Sequence, residues 1–181
     1  MNTRCPTIAN QIRENGLKLE TEAKRPGQIF RRILVGTDFS AASIPAFDQA
    51  LLIARQNKAE LLITHVYTMP HCISFMPPES YGQWAEKCRT EAAEQIGAMV
   101  REARKAQVKA HMLMLSGFAD DAMVDAARHL GVDLIVIGTH GRRGISRFIT
   151  GSIAARVVAR APCSVLTVHL TRQTREVSRR H

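Results

Sequence analysis

The sequence predicts an open, doubly wound α/β domain: a five-stranded parallel sheet with helices on both faces. Three observations carry this reading. Strand-like and helix-like segments alternate from residue 31 to residue 170, and such alternation calls for parallel strands joined by right-handed crossovers. The segments Ile33-Leu34-Val35 and Leu134-Ile135-Val136-Ile137 are unbroken apolar runs, as expected of strands covered on both faces. The stretches between strands repeat apolar residues every three or four positions, the spacing of helices that lay one stripe on a sheet.

The elements follow in order. Arg32 to Asp38 reads as a short buried strand, and 43–57 as an amphipathic helix with Ala46, Phe47, Ala50, Leu51 and Ala54 on one side. Glu60 to Val66 is the second strand. Tyr67 to Gly82, with Pro70, Pro77 and Pro78, reads as a loop, and 83–106 as a long Ala- and Glu-rich helix. Val108 to Leu115 is a third, more alternating strand, Asp120 to Leu130 a helix, and Asp133 to Gly138 a fourth strand. After a basic, glycine-bearing loop, 151–160 forms a helix that stops before Pro162, and Ser164 to Val168 is the fifth strand. Met99, Met112, Met114 and Met123 are expected to fill the core.

Three regions are expected: an N-terminal extension 1–30 outside the core, the α/β domain 31–170, and a tail 171–181. Charge divides along the same lines. The chain of 181 residues has 25 Lys and Arg against 16 Asp and Glu, a formal +9. Residues 1–32 hold 7 basic and 3 acidic side chains, and residues 171–181 hold 4 and 1, so the flanks carry +7 of that total. The charge therefore does not describe a polynucleotide-binding face of the domain, and the flanks lack aromatics for base stacking apart from Phe30 at the edge. Nucleic acid is not an expected partner.

Cys5, Cys72, Cys88 and Cys163 form no CxxC pair, which fits a reducing compartment. The first residues have no signal-like apolar core, and no apolar run is long enough to span a bilayer. A cytoplasmic protein is the expectation.

In an open parallel sheet, ligands lie beyond the carboxyl ends of the strands where strand order reverses. That rule selects Gly36-Thr37-Asp38-Phe39-Ser40 after the first strand and Gly138-Thr139-His140-Gly141-Arg142-Arg143-Gly144 after the fourth. From Gly138 the chain runs GTHGRRGISRFITGS, with the helix beginning at Gly151-Ser152. Gly141 lacks the Cβ that would keep an anion from the backbone. Gly151 and Ser152 offer N–H groups and a hydroxyl at the positive end of a helix dipole. Arg142, Arg143 and Arg147 add attraction for phosphate. No lysine precedes Ser152 as in the GxxxxGK[ST] loop, and the spacing is not GxGxxG.

The Gly-x2-Gly-x9-Gly-Ser spacing, followed by a helix, Pro162 and SVLTV, resembles the universal stress protein family. The opening ILVGTDFS and the LITHV of the second strand are similar to that family's first two strands, and the resemblance spans about residues 31–169. It implies the branch that binds ATP or AMP. By that resemblance, Gly36, Thr37 and Asp38 face ribose and adenine, and the Val66 backbone meets adenine. Gly138 lies against the ribose, Thr139, His140, Gly141 and Arg142 line the loop, and Gly141, Gly151, Ser152 and Ile153 hold phosphates. The resemblance also implies a homodimer in which the Ser164–Val168 strands pair across a two-fold axis. Gly117-Phe118-Ala119 departs from the Gly-x-Pro that members often carry there.

No metal ligand set is expected. A lone carboxylate, Asp38, is a thin site for Mg²⁺, so that ion would come with a nucleotide's phosphates. His71 and Cys72 have no second pair at zinc spacing, and Ser40, His140 and Asp38 lack a GxSxG elbow. His65, at a strand end, reads as a structural histidine, whereas His140 is either a ligand contact or an ordinary loop residue. With no identifiable group to orient water, efficient hydrolysis and enzymatic function are not expected. The sequence thus reads as a stress-response protein that binds ATP or AMP at the switch between strands one and four and acts as a regulator or sensor on a protein partner. The alternative is a nucleotide-independent dimeric adaptor that grips an acidic partner with its basic termini.

Overall fold

A computed structural model of the protein describes residues 7–17, 26–67, 78–139 and 152–169. The elements are α1 (Ile8–Glu14), β1 (Arg32–Gly36), α2 (Ile44–Asn57), β2 (Glu60–Tyr67), α3 (Pro78–Lys105), β3 (Ala110–Ser116), α4 (Ala119–Leu130), β4 (Leu134–Gly138), α5 (Ser152–Arg160) and β5 (Ser164–Val168). The strands form one parallel sheet in the order β3-β2-β1-β4-β5. This is the doubly wound architecture that the alternation predicts.

Side-chain alternation along the strands divides the interior into two layers. Ile33, Val35, Leu61, Ile63, Leu134 and Val136 meet α2 and α3 through Phe47, Ala50, Ile96 and Val100. Leu34, Leu62, Leu113, Leu115, Ile135 and Ile137 meet α4 and α5 through Met123, Ala127, Leu130, Ala154 and Val157. Burying one Leu or Ile side chain in this way is worth about 1.5–3 kcal/mol. An exposed three-residue-spaced pair such as Arg128–Asp125 adds only about 0.3–0.5 kcal/mol. The two apolar layers, rather than surface charge, hold helices to sheet.

Polar clamps fix the amino end of the sheet and tie α5 to α4. At the amino end, the buried Arg32 guanidinium donates to Glu60 at 3.1 Å and to the Leu130 carbonyl, and Lys109 pairs with the same Glu60. The Asp133 carboxylate accepts the backbone N–H groups of Arg31 and Arg32 at 2.8 and 2.9 Å. Burial alone would raise the Glu60 carboxyl, but hydrogen bonds and attraction from Lys109 and Arg32 outweigh it and lower it. Between the helices, Arg156 of α5 grips Asp120 of α4 through Nε at 2.6 Å and Nη2 at 3.3 Å. Arg160 lies 3.6 Å from Asp120 and also pairs with Asp121.

The structure departs from the sequence expectations in three places. β2 extends to Tyr67 and α3 begins at Pro78, so the expected 67–82 loop is too long at both ends. Proline suits a helix start because its missing N–H would have had no partner there. Met112 is 36% exposed on the outermost strand instead of filling the core. Lastly, residues 1–30 do not all lie outside the core: Gln11 and Ile12 of α1 are each only 4% exposed. Ile12 joins the α4 layer with Leu113 and Leu115. A seven-residue helix separated from the domain by polar sequence leaves little periodicity to read.

Asp120 makes a pH-dependent contribution. Burial alone would raise its carboxyl, but the hydrogen bond from Arg156 and the charges of Arg156 and Arg160 bring it below the ordinary aspartate value. Its stabilisation is therefore complete above the ordinary value and lost as pH falls through the depressed native one. Asp120→Asn is expected to cost about 1–2 kcal/mol at neutral pH. In urea titrations repeated across an acid pH series, wild type and variant should converge once the carboxyl is protonated.

Candidate functional site

Strand order reverses between β1 and β4, whose Gly36 and Ile137 are register partners. The chain leaves β1 toward α2 on one face and leaves β4 toward α5 on the other, which opens a crevice at their carboxyl ends. Two glycines sit there in crowded positions, one against backbone and one against a flexible side chain. A Cβ on Gly138 would lie 2.6 Å from the Ala42 carbonyl oxygen, because the lead-in to α2 crosses directly over the end of β4. A Cβ on Gly36 would lie 2.7 Å from Met123 Cε of α4.

The turn after β1 is held by its own side chains. Thr37 N–H donates to the Thr64 carbonyl at 2.9 Å, and the hydroxyls of Thr37 and Ser43 are 3.0 Å apart. Phe39 N–H donates to Thr37 Oγ1 at 3.0 Å. Asp38 Oδ1 accepts from Ser40 N–H at 3.1 Å and from Ser40 Oγ at 2.6 Å. Phe39 has φ of 61°, a left-handed conformation that is unfavourable for a bulky side chain. Its ring is compensated by stacking on His65, with centroids 4.5 Å apart and planes at 30°. His65 Nδ1 lies 2.9 Å from the Thr37 carbonyl; against an acceptor it must carry the proton. His65 is thus a structural residue, as expected, and it ties β2 to the β1 turn. The sequence places Phe39 in the loop after the first strand, but not its stacking on His65 or the Thr37–Ser43 hydroxyl pair, which arise only once the chain is folded.

Of the residues the sequence selects, Gly36, Thr37, Asp38, Val66, Gly138 and Thr139 lie at the carboxyl ends of the three adjacent strands β2, β1 and β4 or just beyond them. Thr139 is 1% exposed; its N–H donates to the Val168 carbonyl at 3.0 Å and its hydroxyl lies 3.0 Å from His169 Nδ1. Its side chain is therefore engaged with the end of β5. Ser152 and Ile153 are exposed at the start of α5, whose first turn carries no acidic residue. His140, Gly141, Arg142 and Gly151, like Arg143 and Arg147, lie outside the described residues.

Such a crevice can take a polar ligand by backbone groups of the β1 and β4 ends and by the first N–H groups of α5, which have no partners within the helix. Among the described residues no three His, Cys, Asp or Glu side chains converge to hold a metal ion, and no helix is long and apolar enough to cross a membrane.

Fold and crevice together define an open doubly wound α/β protein of the class whose ligands lie at a switch point. The universal stress protein family model matches residues 29–169, and the chain belongs to that family. It is 31% identical over 161 residues to a universal stress protein of Methanocaldococcus jannaschii, covering 89% of each chain. Among solved structures, it resembles a universal stress protein of Lactobacillus plantarum with a TM-score of 0.63 and 28% identity, covering 76% of this chain and 97% of that one. It also resembles a universal stress protein solved in complex with cAMP, with a TM-score of 0.54 and 29% identity, covering 78% and 98% of the two chains.

Gly138→Ala tests the packing at the crevice. The added methyl meets backbone, which cannot rotate away, so the variant is expected to lose about 1–3 kcal/mol of stability, seen as a lower urea midpoint. Gly36→Ala meets only the flexible end of Met123 and should lose less.

Proposed function

We propose that this protein binds an adenine nucleotide, ATP or AMP, in the β1/β4 crevice and acts in the cytoplasm as a nucleotide-dependent regulator or sensor on a protein partner, without an enzymatic role. The observation that carries the reading is the meeting of the β1 turn and the β4 end at a switch point that leads into α5. The Gly-x2-Gly-x9-Gly-Ser pattern ends at the start of that helix. The relative solved with cAMP supports an adenine nucleotide as the ligand class.

In this reading Gly36, Thr37 and Asp38 face ribose and adenine, and the Val66 backbone meets the base. A carboxylate suits sugar or base donors and would repel a phosphate. Gly138 and Thr139 border the ribose, with His140, Gly141 and Arg142 along the loop. Gly141, Gly151, Ser152 and Ile153 hold the phosphates with backbone N–H groups and the Ser152 hydroxyl. Mg²⁺, where present, accompanies the phosphates and neutralises their charge.

The fifth strand completes the proposal. β5 is the outermost strand on its side, and Val165 to Val168 are half-buried. The Val168 carbonyl faces β4 through Thr139, so Thr167, one residue earlier, directs its backbone groups away from the sheet. An edge of this kind suits pairing with the β5 of a second copy.

Mass spectrometry of nucleotide retained by freshly purified protein, followed by calorimetric titration with ATP and AMP, tests the site. Gly151→Asp places a negative charge at the helix start and should weaken ATP binding at least about tenfold; undiminished affinity would contradict the assignment. Thr167→Pro removes an outward N–H without touching the β4 ladder. It should convert a dimer to monomer in sedimentation velocity.

A further inference from the structure

β3 is the outermost strand on the other side of the sheet. Gly117 N–H donates to the Tyr67 carbonyl of β2 at 3.2 Å, so by the two-residue period the N–H groups of Met114 and Ser116 point away from the sheet. Edge strands are ordinarily protected by charged side chains, proline or a bulge. β3 reads AHMLMLS, with no Asp, Glu, Lys, Arg or Pro. Its protection has to come from elsewhere in the molecule.

α1 supplies it. Asn15, just past the helix end, presents its amide to the strand as a neighbouring backbone would: Met114 N–H donates to Oδ1 at 2.8 Å, and Nδ2 donates to the Met114 carbonyl at 3.0 Å. One turn earlier, Gln11 Oε1 accepts Ser116 N–H at 2.6 Å in a buried contact. Ile12 anchors the helix between these two contacts by packing with Leu113 and Leu115. The two side-chain amides thus take the outward Met114 N–H and C=O and the Ser116 N–H, groups that a strand added along the carboxyl half of β3 would use.

We propose that α1 is a built-in cap on the β3 edge, and that its docking keeps this edge from pairing with the β3 strand of a second copy of the chain. A second copy is the partner the chemistry favours, because an uncharged strand pairs with its like in antiparallel register without electrostatic penalty. Nothing in this inference depends on nucleotide binding. It does bear on the proposed β5 pairing: a sheet open at both edges can add copies without limit, whereas capping β3 leaves one edge and a closed pair.

The test uses the full-length chain with Gln11→Ala and Asn15→Ala together, and Ile12→Glu as a second, independent way of undocking α1. Hydrogen exchange at the Met114 and Ser116 amides should accelerate at least about tenfold. The Leu113 and Leu115 amides, directed at β2, and those of Leu34 and Ile135 in the centre should stay protected. Sedimentation velocity over a concentration series should show species larger than those of the wild type. Unchanged exchange at Met114 and Ser116 would overturn the cap. Faster exchange with an unchanged association state would overturn its role against a second copy. If Ile12→Glu also exposes Leu34 and Ile135, that variant has unfolded, and the double amide variant decides.

Discussion

The rest of the molecule depends on the burial of the centre of β1. Ile33, Leu34 and Val35 have no exposed surface, and the strand has neighbours on both edges, β2 and β4. A strand so enclosed can be reached only from its ends. The chain must also continue through β2 and β3 on one side before returning to β4 and β5 on the other. The switch point between β1 and β4, where parallel-sheet ligands lie, is a geometric result of that path. At the amino ends, by contrast, Arg32, Glu60, Lys109 and Asp133 form a network of polar contacts.

At the crevice, tight packing and ligand access compete for the same glycines. Gly138 is required by the Ala42 carbonyl, and Gly36 is crowded by the end of the Met123 side chain, so a glycine in these positions is not by itself a sign of phosphate. The β1 turn is similarly over-determined. Thr37, Asp38, Ser40 and Ser43 bond to one another, and Phe39 accepts an unfavourable backbone conformation against His65. A turn locked in this way presents its backbone in one arrangement without a ligand, which lowers the ordering cost of binding one.

The two edges of the sheet are treated differently. β3 is covered by α1 through Gln11, Ile12 and Asn15, while β5 runs along the other margin with its residues half-buried. Both strands lack charged residues, so strand composition does not distinguish them. The difference comes from a segment more than ninety residues away from β3 in the chain, outside the span of the family match.

The sequence by itself determined the fold class, the reversal of strand order between β1 and β4, and the family. It could do so because these rest on local patterns: apolar runs, helical spacing and glycine positions within a few residues of one another. Only the tertiary structure decided that Gly138 is crowded by Ala42, that His65 supports the turn holding Asp38, that the Thr139 side chain serves β5, and that part of the N-terminal extension belongs to the core. Each of these is a contact between segments far apart in the chain or a close approach of backbone atoms, and neither leaves a periodic trace in the order of residues. Ile12 and Asn15 look like ordinary members of a polar stretch until β3 is placed beside them.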